Sequence, residues 1–321
     1  MNILSELFFI NPNVKKFSKI TEKDKLINKK VKINISSLEN FNLPINGFEY
    51  VKFDSKITNI ISRLSKNNFS TNVKKHNPNV QSDIDKLHKY IKQYLYKFLN
   101  EKTNSNINRM NDHFTNIVIL ESVFRNSKID QKEFTVTKSK VNPSAGWIHT
   151  DWWESQTFTS ILTSRLDWIN ILKDQVPNSK EFCDLNNYDN FKKLWDSRFI
   201  DIYNIWIPLS EDILDSPLTI LDKQTLNYSD MVPLISECFI NKNKYFNEIV
   251  TKLKYNKEQK WHSKIDMTLG EGVIFNSIKN PHSAFKIDNK SHPARQSIEI
   301  RCAVFNFDIE PECVYGLKTF K

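Results

Sequence analysis

Glycine is scarce in this chain: 321 residues include only five, Gly47, Gly146, Gly270, Gly272 and Gly316. Neither a GxGxxG turn nor a Walker-type phosphate loop can be assembled from them, which argues against the nucleotide-binding α/β folds. Cysteine is equally sparse. Cys183, Cys238, Cys302 and Cys313 form no CxxC pair, and Cys302 alternates with apolar neighbours as a small buried hydrophobe does. The thiols read as reduced and the compartment as cytoplasmic. Long apolar runs are missing too, with no segment near the roughly 18 residues a membrane helix needs. The opening MNILSELFFINPNVKK carries Glu6 ahead of its apolar residues and no basic leader, so no membrane span or export signal is expected.

What is present can fill a core, since 39% of residues are hydrophobic. A formal charge of +9 attracts phosphate in general. The lysines are nevertheless scattered among asparagines rather than gathered into a stripe, and no zinc-finger or RNA-binding motif accompanies them. No nucleic-acid partner is expected.

Residues 1–115 are polar and mixed, with a helix expected over QSDIDKLHKYIKQYLYKFLNEK: Ile84, Leu87, Ile91, Tyr94, Leu95 and Phe98 recur at helical spacing behind a Ser82 cap. This part reads as a helical support. From 116 onward short β-rich runs dominate: NIVILESVF, EFTVTK, GWIHTDWW, IYNIWIPL, SPLTILD, KIDMTLGEGVIFNS and RQSIEIRCAVFNF. They indicate a sandwich, barrel or jelly roll. Two insertions, 164–198 and 228–262, read as helical, the second on NKYFNEIVTKLKY. Loops at one end of a jelly roll surround its mouth, so both are expected to act as lids. In the last strand Ile298, Ile300, Cys302 and Val304 form an apolar face suited to packing on helices, while Arg295, Ser297, Glu299 and Arg301 line the other.

The run GWIHTDWWE concentrates His149, Asp151 and three tryptophans in nine residues. One reading is an aromatic core cluster. The other takes His149 and Asp151, two apart and so on one side of a strand, as metal ligands, with His282 as the third and His292 as the alternative third. Two imidazoles and a carboxylate suit Fe(II), holding one face of an octahedron and leaving three positions for a chelating cosubstrate and O2. HxD alone is a weak pattern, but its order is informative. His282 lies 131 residues after Asp151, and an Arg-x-Ser, Arg295 and Ser297, follows 13 residues later on the last strand. Arg295 offers a planar, permanently charged partner to the far carboxylate of a dicarboxylate. Arg301 is the alternative clamp, or pairs with Glu299. Asn204 and Trp206 share one side of IYNIWIPL and are candidates to face the cosubstrate. Trp152 and Trp153, next to the ligand, are candidates to touch substrate.

On these motifs the chain resembles the iron(II)/2-oxoglutarate-dependent oxygenases, a double-stranded β-helix (jelly-roll) superfamily with HxD, a distal His and a basic residue on the last strand. NIWIPLSEDILDSPLTILD and PHSAF...ARQSIEIRCAVF are similar to the cephamycin 7α-hydroxylase/AsaB-like family, and WIPL and GEGVIFNS to phytanoyl-CoA hydroxylase-like enzymes. Ile207 departs from the first of these, which usually has a basic residue there. The resemblance implies an oxygenase core at 116–308 followed by a tail at 309–321, with His149, Asp151 and His282 on iron and Arg295 and Ser297 on 2-oxoglutarate. It implies oxidation of a small organic molecule, hydroxylation by default, coupled to conversion of 2-oxoglutarate to succinate. Asp151 fills the position that halogenases of the superfamily leave to Gly or Ala, which disfavours halogenation.

Overall fold

The computed structural model describes residues 2–16, 26–35, 40–67, 79–103, 117–128, 144–151, 171, 199–211, 213–240, 243–288 and 290–305. The chain begins with β1 (Asn2–Ile10) and β2 (Leu26–Ile35), a single helical turn α1 (Leu43–Asn46), and β3 (Phe48–Lys52). Helices α2 (Ser55–Ser65) and α3 (Asn79–Thr103) follow. The remaining strands are β4 (Ile117–Asn126), β5 (His149–Thr150), β6 (Phe199–Pro208), β7 (Leu218–Leu221), β8 (Met231–Ile240), β9 (Asn243–Leu253), β10 (Trp261–Ser263), β11 (Glu271–Asn276), β12 (His282–Ala284) and β13 (Gln296–Phe305). They form an eight-stranded sheet, β1-β2-β10-β7-β12-β5-β9-β8, and a five-stranded sheet, β3-β11-β6-β13-β4. This is the mainly β jelly-roll architecture expected.

Three apolar clusters fix the layers. Ile298, Ile300, Cys302 and Val304 of β13 pack with Ile57, Ile60 and Leu64 of α2 and Ile84, Leu87, Ile91 and Leu95 of α3, so the last strand's apolar face does meet helices. A fully buried Leu or Ile contributes roughly 1.5–3 kcal/mol, which makes this layer what holds α2 and α3 to the sheet. The Arg63–Asp83 pair between the helices adds little, because Arg63 is half exposed. Between the sheets lie Phe48, Trp206, Val273 and Phe275 from one side and Ile220 from the other. A third cluster, with Leu7, Phe9, Ile33, Leu253 and Trp261, fills the back of the larger sheet. There the β1–β2 hairpin curls over, and bridges from Phe8 to Trp147 and from Ile10 to Lys254 nearly close the sheet on itself.

The structure departs from expectation in three places. The stretch 228–262 is a hairpin rather than a helical insertion: after a 3-10 turn at Tyr228–Asp230, β8 and β9 pair antiparallel, and β9 pairs onward with β5. The helical spacing of Phe246, Ile249, Val250 and Leu253 is overridden by pairing to two neighbours. Pro233, barred from a helix interior, sits in the edge strand β8, where a missing N–H is tolerated. The N-terminal part is also more than a helical support, for β1, β2 and β3 enter both sheets. Its signal was the alternation of buried Ile3, Ser5, Leu7 and Phe9 with exposed partners. Finally, α3 starts at Asn79, so Ser82 lies inside the helix rather than capping it. The insertion 164–198, the run EFTVTK and the tail 309–321 lie outside the described residues, apart from residue 171. Among the described residues no helix is long and apolar enough to cross a membrane.

Candidate metal centre

Register builds the centre. Strands β5 and β12 are only two and three residues long, yet they place His149 directly opposite His282, with ring centroids 4.4 Å apart. Asp151 leaves β5 with its N–H donated to the Ser277 carbonyl at 3.0 Å. One ligand atom from each of His149, Asp151 and His282 lies within 4.8 Å of the others. The expected triad is thus brought together. The alternative third ligand is not, for His292 pairs with Asp288 at 2.8 Å.

Both imidazoles are oriented by the backbone. His149 Nδ1 donates to the Trp147 carbonyl at 2.9 Å and His282 Nδ1 to the Asn280 carbonyl at 3.1 Å. A carbonyl only accepts, so Nδ1 carries the proton and Nε2 keeps its lone pair for a metal. Burial first, then the neighbouring His282 and Lys252 charges, hold the His149 pKa well below the usual histidine range, which keeps the ring neutral. Asn280 is fixed in turn by donating to the Asn46 and Leu221 carbonyls, both at 3.1 Å. It can approach because residue 47 is glycine, with φ of 82°: a Cβ there would lie 1.9 Å from the Asn280 carboxamide oxygen.

Asp151 is gripped from the other sheet. Its Oδ2 accepts from Asn204 Nδ2 at 2.8 Å and its Oδ1 from Arg301 Nη2 at 3.0 Å. Arg301 also donates to Glu299 at 3.1 Å and pairs with Glu121, while Arg125 reaches Glu299 at 3.2 Å. Burial alone would raise the Glu299 pKa, but the Arg125 and Arg301 charges outweigh it and hold it down at about 2. Burial opposes the charge of Arg301 as well, and Asp151, Glu299 and Glu121 overcome it. Of the two candidate clamps for a dicarboxylate, Arg301 is therefore committed to protein carboxylates. The amide of Asn204 bridges Asp151 and Glu299 at 2.8 and 2.9 Å.

Arg295 is the opposite case. It is 3% exposed, donates to the Ser216 carbonyl and to Ser144 Oγ, and forms no salt bridge among the described residues. Among the described residues its Nε has no hydrogen-bond partner, nor has the hydroxyl of Ser297, which is fully buried. The Arg295 guanidinium lies 5.7 Å from the ring of Trp206, which packs in the apolar cluster between the sheets. Burial, with Arg125 adding repulsion, pushes the Arg295 pKa down to about 9. Ser216, whose carbonyl Arg295 holds, has φ of 54°, a left-handed conformation that serine rarely adopts. A buried cation with an unpartnered N–H costs free energy that an added hydrogen-bond acceptor would relieve.

Two buried residues were not singled out by sequence reading. Lys252, opposite His149 on β9, is 6% exposed, and burial pushes its pKa down to about 7. His262 is 8% exposed, packs against Phe41 at 4.5 Å, and has both ring nitrogens without partners among the described residues. Trp152 and Trp153 lie outside the described residues.

The fold matches that of a solved iron and alpha-ketoglutarate-dependent endoperoxidase, NvfI, with a TM-score of 0.62 at 19% identity, covering 95% of this chain and 98% of that one. In sequence the chain is 29% identical over 123 residues to the Fe(II)/2-oxoglutarate-dependent dioxygenase nvfI of Aspergillus novofumigatus, across 35% of this chain and 43% of the relative. This likeness is to an iron(II)/2-oxoglutarate-dependent oxygenase. The chain is also 32% identical over 126 residues to the hydroxylase/desaturase efuI of Hormonema carpetanum, across 35% of this chain and 42% of that relative. The chain thus covers less than half the length of the curated relatives it matches. A family model described as an oxidoreductase/YMDC permease-like domain matches residues 176–305.

The superfamily's metal and cosubstrate fit these residues. Ligands about 2.1 Å from one ion stand about 3 Å apart, so shifts of about an ångström from the present 4.8 Å limit bring the three donors onto it. Arg295 Nε and the Ser297 hydroxyl, buried and without partners among the described residues, have the donor chemistry a carboxylate would require.

Proposed function

We propose that the protein is an Fe(II)- and 2-oxoglutarate-dependent dioxygenase acting on a small organic molecule. The observation that carries this reading is the pairing of a two-His, one-carboxylate cluster with a buried arginine that lacks a carboxylate partner. The names of its relatives cover dioxygenation, hydroxylation, desaturation and endoperoxidation. The reading therefore commits to the shared chemistry, with hydroxylation as the default outcome.

The chemistry such a centre supplies is oxidation of a C–H bond by O2, coupled to decarboxylation of 2-oxoglutarate to succinate. The chain's own part is positional. His149 and His282 present Nε2 because their Nδ1 protons are held by backbone carbonyls. Asp151 is aimed by Arg301 and Asn204. Arg295 Nε and the Ser297 hydroxyl bind the far carboxylate of the cosubstrate, and Trp206 bounds its path. Phe275, Val273 and Ile220 keep water from the inner end of the cavity. The test is succinate formation from 2-oxoglutarate by Fe(II)-supplemented protein across a panel of amino acids, lipids and peptides. Succinate that rises with one class of compound supports the reading, and none with any class under O2 contradicts it.

A further inference from the structure

The row of side chains on which the metal cluster sits continues past His149. Strand register runs Ile220, His282, His149, Lys252, from β7 through β12 and β5 to β9. Directly paired residues point to the same face of a sheet, so Lys252 enters the cavity between the sheets beside His149. Its ammonium lies 4.6 Å from the Trp147 ring centroid. Trp147 itself is 37% exposed, which sets the pair at the rim rather than in the core.

We propose that Lys252 docks an anionic oxygen of the organic substrate, a carboxylate or an enolate, beside the metal centre. The inference rests on the oxygenase reading above and names a feature of its substrate. Lys252 is 6% exposed and forms no salt bridge among the described residues. Asp151, the acid of the metal cluster, already receives Arg301 and Asn204. A buried ammonium with only an aromatic face for company is costly, and an incoming anion with charge-assisted hydrogen bonds relieves that cost. The cosubstrate is not that anion. Its clamp, Arg295, is anchored to Ser216 next to β7, whereas Lys252 is on β9, three strand spacings or about 14 Å across the sheet. The two cations flank the metal ligands from opposite sides and so select two different anions.

Benzoate and its uncharged isostere benzamide serve as probes, with binding followed by ligand-observed NMR. Measurements use metal-free full-length protein and protein loaded with Mn(II) and excess 2-oxoglutarate, which keeps Arg295 occupied. Benzoate is expected to bind wild-type loaded protein at least about tenfold tighter than benzamide. Lys252→Met is expected to erase that preference and Lys252→Arg to retain most of it, with 2-oxoglutarate affinity unchanged in both. Equal binding of the two probes by wild-type protein, or a benzoate preference that survives Lys252→Met, overturns the proposal. So does a loss of 2-oxoglutarate affinity in Lys252→Met, which would assign the lysine to the cosubstrate. Without any variant, benzoate is expected to shift the Trp147 indole N–H resonance, and no shift at saturation counts equally against it. The metal-free arm needs no catalysis, so failure here and failure to form succinate are separate outcomes.

Discussion

Arg295 and Arg301 lie on one face at the two ends of a seven-residue stretch, and their surroundings are opposite. Arg301 meets Asp151, Glu299 and Glu121, three carboxylates supplied by the protein. Arg295 meets a carbonyl, a hydroxyl and an indole ring, and keeps one N–H bare. The first arginine is paired within the protein, and the second has no carboxylate partner among the described residues. Charge alone does not distinguish a structural arginine from a binding one. The count of carboxylates already around it does.

The largest effect is expected at the centre these arginines serve. His149→Ala and His282→Ala should abolish turnover, by more than the ~100-fold that loss of a supporting group costs, while thermal unfolding stays near wild type. Near-normal succinate formation by His282→Ala would remove the metal assignment and with it the point of the comparison.

Arg301→Ala should leave Asp151 and Glu299 buried and short of a counter-charge. We expect a stability loss of about 3–5 kcal/mol by denaturant unfolding, and metal binding weakened about 10- to 100-fold. Arg295→Ala should separate the two cases. It removes a buried charge with no ionic partner, so stability should hold or rise, while 2-oxoglutarate affinity falls by about 100-fold, or roughly 3 kcal/mol. If both variants lost stability alike and bound 2-oxoglutarate alike, the distinction between the arginines would fail.

A smaller, graded effect follows from pH. The Glu299 pKa sits near 2 rather than 4.5, so this group's stabilisation is fully present above about pH 4.5 and is lost as pH falls towards 2. Glu299→Gln should flatten that acid limb in a series of unfolding curves. An unchanged limb would mean that Arg125 and Arg301 do not hold the carboxylate as described.

How much of this was legible in the sequence depended on the range of the interactions. The two faces of β13, the HxD spacing and the face of α3 are local periodicities and could be read directly. The hairpin β8–β9 could not, because its helical spacing is outvoted by pairing partners distant in sequence, with Pro233 the one local warning. The order of motifs pointed to His282, yet only its register against His149 separates it from His292. Arg301 and Asn204 carried no mark of their attachment to Asp151, some 150 and 53 residues away. Lys252 was hidden among many lysines, since nothing in NKYFNEIVTKL says which one faces the cavity.

The central claim is that one buried cluster binds a metal through three side chains while Arg295 holds the far end of a chelating dicarboxylate. Anaerobic titration with Fe(II) and 2-oxoglutarate, read by the visible charge-transfer absorption of a 2-oxo acid chelated to iron(II), tests it most directly. The account predicts one equivalent of chromophore in wild-type protein, none in His282→Ala, and in Arg295→Ala the same final intensity reached only at about 100-fold more 2-oxoglutarate. No band in wild-type protein, or an identical titration in all three, would contradict it.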